Sequence, residues 1–215
     1  MNPVGTLLGG ISRLFQRDLH GSPGNDIVMF DEATFMARER FRANYQDLSA
    51  ALVGLCDFDT ILDVGCANGF LLECMLAYGK QIQGIELSSA SLAFIDPAVR
   101  RFVTIGDATA TGKLGSYDLV SCIEVAEHIR PVESEALIES LTNNSRKWIY
   151  FTAAPPYQPG YGHINCQPQF FWMSKFRYRG FDVDWDKTAA LIEKIANMQP
   201  ANWLPMNSLV FRRRT

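Results

Sequence analysis

The sequence predicts an α/β domain in which helices cover both faces of a mostly parallel sheet. Short apolar runs rich in β-branched residues alternate along the chain with segments of helical periodicity. Such alternation builds a parallel sheet, because each crossover must traverse the sheet to reach the next parallel strand. A glycine-rich turn follows the first of these runs, and an acidic residue lies at or just after the end of each of the first three. Ligands of such sheets bind at the carboxyl ends of the strands.

The first element expected is a helix that follows a loose N-terminal arm. Residues 1–30 are rich in glycine, proline, asparagine and serine, which breaks any regular periodicity. From Asp31 to Cys56, apolar residues recur at steps of three and four, which predicts a helix with one apolar face and Asp31 as its N-cap. We therefore divide the chain into an arm with its helix, residues 1–56, and a main domain, residues 57–215.

Five strands and three helices are expected to alternate through the main domain. The predicted strands cover residues 60–64, 81–86, 101–105, 117–123 and 147–152. The predicted helices between them cover residues 70–78, 89–94 and 134–143. A proline-rich stretch at 154–162 can be neither helix nor central strand. Beyond it we expect, in chain order, a helix at 168–177 that Gly180 ends, a strand at 181–185, a helix at 189–198 and a strand at 208–212 that pairs with the earlier one.

Composition and charge describe an ordinary globular protein. Apolar residues make up 47% of the 215 residues, and the net charge is −3, so no positive field attracts nucleic acid or an anionic membrane. No apolar run approaches the length of a membrane span. The five cysteines form no C-x-x-C pair, and residues 1–11 lack the pattern of a signal peptide. We therefore expect free thiols and a cytoplasmic location.

The glycine-rich turn predicts a binding site for a polar ligand. An apolar strand carries Asp63 near its end, Gly65 opens the turn, and Gly69 precedes the next helix, so backbone N–H groups converge on one point. A dinucleotide fingerprint would need glycine at Ala67 and Phe70, and neither position is glycine. A carboxylate beside the turn suits a ligand with an ammonium or hydroxyl group and repels a pyrophosphate.

Two further acids extend this site along the sheet. Glu86 ends the second predicted strand, where a carboxylate can grip a ribose diol, and Asp107 follows the third, where it can accept a hydrogen bond from an adenine amino group. Each acid taken alone is as easily a helix cap or a surface residue. Three of them on successive strands, one beside a glycine turn, indicate a cationic adenosyl ligand, and that ligand is S-adenosylmethionine.

These residues resemble the class I S-adenosylmethionine-dependent methyltransferases. In that family the first strand and turn read approximately D-x-G-x-x-x-G, which Asp63, Gly65 and Gly69 match, while Glu86 and Asp107 match the acids near the ribose and the adenine. The resemblance implies a Rossmann-like three-layer sandwich whose seven-stranded sheet ends in one antiparallel strand. The residues expected to bind the donor are Asp63, Gly65, Cys66, Ala67, Gly69, Glu86, Leu87, Asp107, Ala108 and Ile123.

His163 is the residue expected to remove a proton from the acceptor. It lies in a polar loop after the fifth predicted strand, within an H-x-N-x-Q-P stretch that resembles a subgroup of the same family. An imidazole titrates near neutral pH, which suits a general base. The competing interpretation is a histidine that only hydrogen-bonds its own loop.

Glu124, Glu127 and His128 offer a second chemistry together with His163. If the turn after the fourth strand is helical, the first three share one face. Some small-RNA 2'-O-methyltransferases and ubiquinone-pathway O-methyltransferases look similar here and hold a divalent ion with such an E-x-x-E-H set. Mg or Mn would suit these mixed oxygen and nitrogen ligands. We expect no metal here, because many metal-free members of the family carry the same E-H pair as a structural feature; a cation held by these four residues is the alternative.

The function that the resemblance implies is transfer of a methyl group from S-adenosylmethionine to a hydroxyl of a small molecule or a sugar. A catalytically inactive module that only binds the donor is the alternative from a different class. An RNA 2'-O-methyltransferase is disfavoured by the net charge of −3. A nicotinamide dehydrogenase is disfavoured by the glycine spacing.

Overall fold

The computed structural model describes residues 30–110 and 112–214. Within them the strands are β1 Thr60–Val64, β2 Gln81–Glu86, β3 Val103–Ile105, β4 Tyr117–Ile123, β5 Ser145–Thr152, β6 Phe181–Val183 and β7 Leu209–Arg213. The α-helices are α1 Glu32–Ala37, α2 Arg42–Leu55, α3 Phe70–Ala77, α4 Pro97–Arg100, α5 Ser134–Asn144, α6 Gln169–Tyr178, α7 Trp185–Ile195 and α8 Leu204–Asn207. Four 3-10 turns lie at Arg38–Phe41, Ser89–Ala93, Ala126–His128 and Pro131–Glu133.

The strands form a single seven-stranded sheet in the order β3-β2-β1-β4-β5-β7-β6. The pairs among β1 to β5 are parallel, whereas β7 runs antiparallel to both β5 and β6. This confirms the expected α/β sandwich with one antiparallel strand. Strands β2 and β3 are added on one side of β1, and β4 and β5 on the other. The order of strands across the sheet therefore reverses between β1 and β4, which are parallel neighbours. The carboxyl ends of β1 and β4 therefore frame a crevice.

The apolar core is divided between the two faces of the sheet, as period-two strands require. On β1, Ile61 points into the layer that contains α2, α3 and α7, while Leu62 points into the layer that contains α5 and α6. On the second side Trp172 and Phe176 of α6 are fully buried. The helices thus cover both faces, and the strand ends remain for ligands.

The first helix differs from the prediction because it is interrupted. Asp31 caps α1 as expected, with its side chain accepting a hydrogen bond from the N–H of Thr34 at 2.9 Å. A 3-10 turn then separates α1 from α2. The side chain of Asn68 donates to the carbonyl oxygen of Phe35 at 2.9 Å, so α1 is bound to the glycine turn while α2 packs on the core. The tertiary contact thus overrides the uniform periodicity.

The predicted strand 181–185 and helix 189–198 are also shifted. The strand ends at Val183, because the side chain of Asp184 accepts a hydrogen bond from the N–H of Lys187 at 3.0 Å and caps a helix there. The helix consequently begins at Trp185 and ends at Ile195. Predicted segment 89–94 is a 3-10 turn rather than an α-helix.

The N-terminal arm of residues 1–29 lies outside the described residues. Leu48 and Leu52 of α2 are fully buried in the same cluster as Ile61, and the division of the chain after residue 56 stays a prediction. Every helix of the described part is too short or too polar to cross a lipid bilayer.

Candidate active site

The glycine turn between β1 and α3 is held against β2 by main-chain hydrogen bonds. Gly65 donates its N–H to the carbonyl oxygen of Ile85 at 2.8 Å. Its φ of +74° lies in the left-handed region that favours glycine. A Cβ at Gly65 would lie 2.4 Å from Cγ2 of Val125, so no larger residue fits unless the segment after β4 moves. The turn therefore brings β1, β2 and the end of β4 together at one point.

Glu86 joins the turn to the segment that follows β2. One of its carboxylate oxygens accepts a hydrogen bond from the N–H of Ala67, and the other accepts one from the N–H of Ser88, both at 2.9 Å. The side chain is buried, with 7% of its surface exposed. Each carboxylate oxygen keeps a second lone pair, so Glu86 can still accept hydrogen bonds from a vicinal diol.

Asp107 and Asp63 occupy different depths of the site. Asp107 accepts hydrogen bonds from the N–H and the hydroxyl of Thr109 at 2.8 and 2.7 Å. Asp63 lies behind the turn, 3% exposed, and accepts a hydrogen bond from the hydroxyl of Ser121 at 2.7 Å. Burial raises the pKa of Asp63 to about 7, although the Ser121 hydrogen bond acts in the opposite direction. A nearby cation would therefore convert Asp63 to its ionised form.

A first cavity of about 110 Å³ lies over the turn, and we call it the donor cleft. Of the residues predicted to bind the donor, those that line it are Gly65, Ala67, Glu86, Leu87, Asp107 and Ala108. Asp63 lies behind the turn, the side chain of Cys66 is part of the apolar core, and Gly69 caps α3. Phe30 and Phe35 line the cleft from the N-terminal side. Donor binding by these residues stays a prediction.

A second cavity of about 670 Å³ adjoins the cleft, and we call it the acceptor cavity. One wall comes from the segment that contains α1 and the first turn of α2, another from the loop after β5, and a third from residues 201–204 before β7. Ile123, predicted to touch the donor, lines this cavity instead. Phe30, Arg38, Glu124 and His128 line both cavities, so the two spaces meet at these four residues.

Glu124 stands at that junction in a strained backbone conformation. Its φ is +52°, a value that side chains other than glycine rarely adopt. The amide of Asn207 donates to its carboxylate oxygens at 3.1 and 3.3 Å, and the amide of Gln158 donates to one of them at 3.4 Å. The expectation that Glu124, Glu127 and His128 share one helical face is wrong. The helical turn begins only at Ala126 and is a 3-10 turn, which leaves Glu124 outside it.

Glu127, His128 and His163 do come together, with one candidate ligand atom of each within 4.8 Å of the others. Glu127 is fully buried, and no side chain donates a hydrogen bond to either carboxylate oxygen among the described residues. Burial, with the negative charge of Glu124, raises the pKa of Glu127 to about 8, although the backbone N–H groups of Glu127 and Ala154 act in the opposite direction. A buried carboxyl that no side chain pairs is costly, which makes this cluster a candidate ligand site.

Both imidazoles of the cluster are oriented by backbone carbonyl groups. Nδ1 of His128 lies 2.9 Å from the carbonyl oxygen of Gly162, and Nδ1 of His163 lies 3.1 Å from that of Gln158. A carbonyl can only accept, so Nδ1 carries the hydrogen in each ring and Nε2 keeps a free lone pair. Burial lowers the pKa of His128 to about 4, against the hydrogen bond to Gly162. Nε2 of His163 lies 3.9 Å from Glu127.

The H-x-N-x-Q-P stretch anchors the loop that carries His163. The backbone N–H groups of Ile164 and Asn165 both donate to the carbonyl oxygen of Glu127 at 2.9 Å. The buried side chain of Asn165 donates to the hydroxyl of Ser134 at 2.9 Å, and the amide of Gln167 donates to Asn165 at 3.0 Å. The polar residues of the stretch therefore position the loop, and the histidine is the member that faces the cavity.

Sequence reasoning missed four residues of the acceptor side: Arg38, Gln158, Trp203 and Asn207. Arg38 is half-buried, and the others come from the loop after β5 and from the segment before β7. No spacing rule links these positions, since they meet only through the fold. A break in the apolar periodicity at Arg38–Phe41 would have indicated that the helix is interrupted there. The sequence shows no such break.

A family model described as a methyltransferase domain matches residues 33–152. The ubiquinone biosynthesis O-methyltransferase of Paraburkholderia xenovorans is 31% identical over 120 residues, which is 52% of this chain and 49% of that protein. The protein of the same name from Chromobacterium violaceum is 31% identical over 119 residues, with the same coverage. The chain thus spans about half the length of the curated relatives it matches.

Solved structures share the fold over nearly the whole chain. The magnesium protoporphyrin IX methyltransferase of Synechocystis PCC 6803 with bound SAH is 17% identical, with a TM-score of 0.59, and the match covers 96% of this chain and 95% of that one. An amino pentose methyltransferase of Micromonospora echinaspora with bound SAM is 16% identical, with a TM-score of 0.61 and coverage of 91% and 100%. At these identities the likeness shows the fold alone.

Proposed function

This chain belongs to the class I S-adenosylmethionine-dependent methyltransferase family, and from that premise we propose that it transfers the donor's methyl group to a hydroxyl of a small molecule or a sugar. The observation that carries the proposal is the meeting of the two cavities at Glu124 and His128. A donor in one cavity and an acceptor in the other can then align for in-line displacement, which is most of what this reaction needs. The curated relatives' name, O-methyltransferase, supports a hydroxyl acceptor.

The donor cleft supplies groups of the right chemistry at each end of S-adenosylmethionine. Glu86 can bind the ribose diol and Asp107 the adenine amino group. Arg38 has no carboxylate within ion-pair distance among the described residues, and it lies beside both cavities, where the donor's carboxylate needs a cation. Asp63 is close enough to Arg38 and Glu86 to feel their charges. The ionised carboxylate of Asp63 would therefore attract the donor's ammonium group electrostatically, because the two groups would lie close together.

His163 is the residue that would take the proton from the acceptor. The hydroxyl oxygen attacks the methyl carbon, the carbon–sulfur bond breaks, and sulfur leaves as a neutral thioether. The hydroxyl proton would then pass to Nε2 of His163, a residue that lines the acceptor cavity and whose Nδ1 already donates to a carbonyl. The Gln158 carbonyl keeps the other ring nitrogen protonated, so the imidazole accepts at one atom only.

The same cluster also fits a divalent cation. The buried carboxylate of Glu127 and the Nε2 atoms of His128 and His163 would hold it, and both imidazoles already donate from Nδ1 to carbonyls, as metal-bound histidines do. A bound Mg or Mn ion would lower the pKa of the acceptor hydroxyl. His163 cannot do both, because the lone pair that binds an ion cannot take the proton.

Methyl transfer can be tested with a set of hydroxyl acceptors. The full chain is incubated with S-adenosylmethionine and catechol, 3,4-dihydroxybenzoate, glucose or glucose 6-phosphate, and release of S-adenosylhomocysteine is measured. We expect release with at least one acceptor, a turnover loss of about tenfold or more in His163→Gln, and no change in Tyr157→Phe, whose side chain is fully exposed on the same loop. Donor binding without any release would favour the inactive binding module and end the proposal.

The cation version has its own test. Calorimetric titration with MnCl2 should give a site in the wild-type chain and none in Glu127→Gln, while Glu193→Gln, an exposed control, should bind as the wild type does. If the titration shows no manganese site and turnover does not change when a chelator is added, the ion is excluded and His163 remains the proposed base.

A cytoplasmic location remains part of the proposal, on the ground that all five cysteines are free thiols.

A further inference from the structure

Three arginines occupy alternate positions, Arg38 and Arg40 in the 3-10 turn and Arg42 at the start of α2, and they differ in their partners. Arg42 forms ion pairs with Glu39 and with Glu73 of α3, at N–O distances of 2.5 Å, and lines neither cavity. Arg38 and Arg40 line the acceptor cavity, and neither has a carboxylate oxygen within 4.0 Å among the described residues. The paired guanidinium thus faces away from the cavity, and the unpaired ones border it.

Arg40 marks the outer end of the acceptor cavity. It is exposed, and its guanidinium carbon lies 4.6 Å from the centre of the Phe41 ring. Phe41 in turn meets Trp203 edge to face at 5.7 Å. Stacking on Phe41 limits where the guanidinium can go, so an anion that reaches the mouth of the cavity meets a positioned charge. The two aromatic rings line the cavity beside it.

A negative group lies where the cavity meets the donor cleft. Glu124 stands at that junction, and Arg38 beside it is the cation proposed for the donor's carboxylate. The buried Glu127 adds little charge near neutral pH, because its pKa is raised to about 8. An acceptor with an anionic group is repelled at the junction and attracted at the mouth. Glu124 and Arg40 together therefore favour an orientation in which the acceptor hydroxyl points to the junction and the anionic group lies on Arg40.

We infer that the acceptor is an acid: a hydroxylated ring that carries a carboxylate or a phosphate, with the ring against Phe41 and Trp203 and the anionic group on Arg40. The inference rests on the proposed function and adds the chemical class of its acceptor. Arg40 is in this account the residue that determines specificity for acidic acceptors. A guanidinium can bind either anion with two parallel hydrogen bonds, so the shared chemistry is the oxyanion.

The test uses matched pairs of probes that differ by the anionic group. With S-adenosylhomocysteine at saturation, the full chain is titrated with 3,4-dihydroxybenzoate against catechol and with glucose 6-phosphate against glucose. At least one anionic member should bind about tenfold more tightly than its neutral partner, and added salt should weaken that preference. The pair that shows the larger preference tells a carboxylate from a phosphate.

The variants assign the preference to a residue. Arg40→Gln should bind both members of each pair equally. Arg101→Gln is the matched control, because Arg101 is likewise exposed and stacked, 4.8 Å from the centre of the Phe102 ring, and lines neither cavity. The control should keep the full preference.

Equal binding of both members in the wild type, no binding of any probe, or a preference that survives in Arg40→Gln would overturn the inference. The S-adenosylhomocysteine titration that precedes the probes separates this failure from a wider one. If that ligand binds and the probes show no preference, only the acidic acceptor is wrong. If it does not bind, the proposed function itself has failed.

Discussion

The donor cleft and the acceptor cavity meet at Glu124 and His128, yet they are built in different ways. The cleft is formed mostly by the ends of β1, β2 and β3 and by main-chain groups held at 2.8 to 2.9 Å, such as Gly65 on Ile85 and Ala67 on Glu86. The cavity is about six times larger, 670 against 110 Å³, and its walls are side chains from segments far apart in sequence. A site fixed by the backbone tolerates little change, whereas a site made of side chains can be altered residue by residue.

Substitution of Gly65 should give the largest loss of donor affinity, because this glycine lies where the main chain of the donor cleft leaves the least space. In Gly65→Ala the new Cβ would lie 2.4 Å from Cγ2 of Val125, which lines the cleft. We expect the affinity for S-adenosylhomocysteine to fall by about a hundredfold. Calorimetric titration measures this.

Gly79→Ala is the matched control for that change. Gly79 has nearly the same φ, +73° against +74°, and nothing lies within 4 Å of its added Cβ. Both variants therefore carry the same backbone strain, about 1 kcal/mol, and only one crowds the cleft. Equal donor affinity in the two variants would contradict the close fit of the cleft.

Asp63 should show opposite effects on binding and on stability. Burial raises its pKa to about 7 from an ordinary 3.8, so its ionised form is disfavoured in the folded chain. This cost is complete above the folded pKa and fades as the pH falls through about 7 toward the unfolded value. Asp63→Asn should therefore raise the free energy of unfolding by about 1–2 kcal/mol near pH 8, and by less near pH 6.

The same substitution should weaken donor binding, by about tenfold, because the carboxylate that favours an ammonium group is gone. Urea unfolding at the two pH values and titration with S-adenosylhomocysteine measure the two effects on one variant. Asn can still accept the hydrogen bond from Ser121. A variant that is less stable at both pH values would show that Asp63 serves the fold rather than the ligand.

Gly160 tests the acceptor side through the position of His163. A Cβ at Gly160 would lie 2.1 Å from Nε2 of His163, so Gly160→Ala must push the imidazole aside. We expect turnover to fall by about fivefold, with donor affinity unchanged. Gly54→Ala, with nothing within 4 Å of the new Cβ, is the control. An unchanged rate in Gly160→Ala would remove His163 from proton transfer.

Asn207 should give the smallest effect, since it acts through Glu124. Its amide donates to both carboxylate oxygens at 3.1 and 3.3 Å and holds them at the junction of the two cavities. In Asn207→Ala we expect turnover to fall by about threefold, with a shifted pH profile and unchanged donor affinity. Asn202→Ala, at an exposed position nearby, should match the wild type. A change in thermal stability alone would mean that Asn207 is structural.

The two regions also differ in how far sequence reasoning reached. The strand–helix alternation predicted the sheet, and β1, β2 and β4 have the predicted bounds, because strands buried on both faces leave a continuous apolar signal. The donor cleft draws its residues from the turn after β1, the end of β2 and the segment after β3, so the predicted alternation already brings Gly65, Glu86 and Asp107 to one edge of the sheet. The sequence identifies Asp63 as a site residue, but it does not show that Asp63 is buried behind the turn, because that burial depends on how Ser121 packs against it.

The acceptor cavity gave no such local signal. Arg38 and Arg40 belong to a helical segment whose periodicity indicated one uninterrupted helix, and the contact of Asn68 with Phe35 that accompanies the interruption joins residues 33 positions apart. Trp203 and Asn207 lie in the segment before β7, beyond any recognised pattern. The expectation that Glu124 shares a helical face with Glu127 and His128 is wrong, because its φ of +52° does not follow from residue types. The residues that line the acceptor cavity come together only in the folded chain, so residue types and spacing do not predict them.

Titration of the full chain with S-adenosylhomocysteine and, in parallel, with NAD tests the central claim most directly. The account predicts that S-adenosylhomocysteine binds in the micromolar range, about −8 kcal/mol, and that NAD does not, because the carboxylates of Glu86 and Asp63 repel a pyrophosphate at the turn. Binding of NAD without binding of S-adenosylhomocysteine would contradict it.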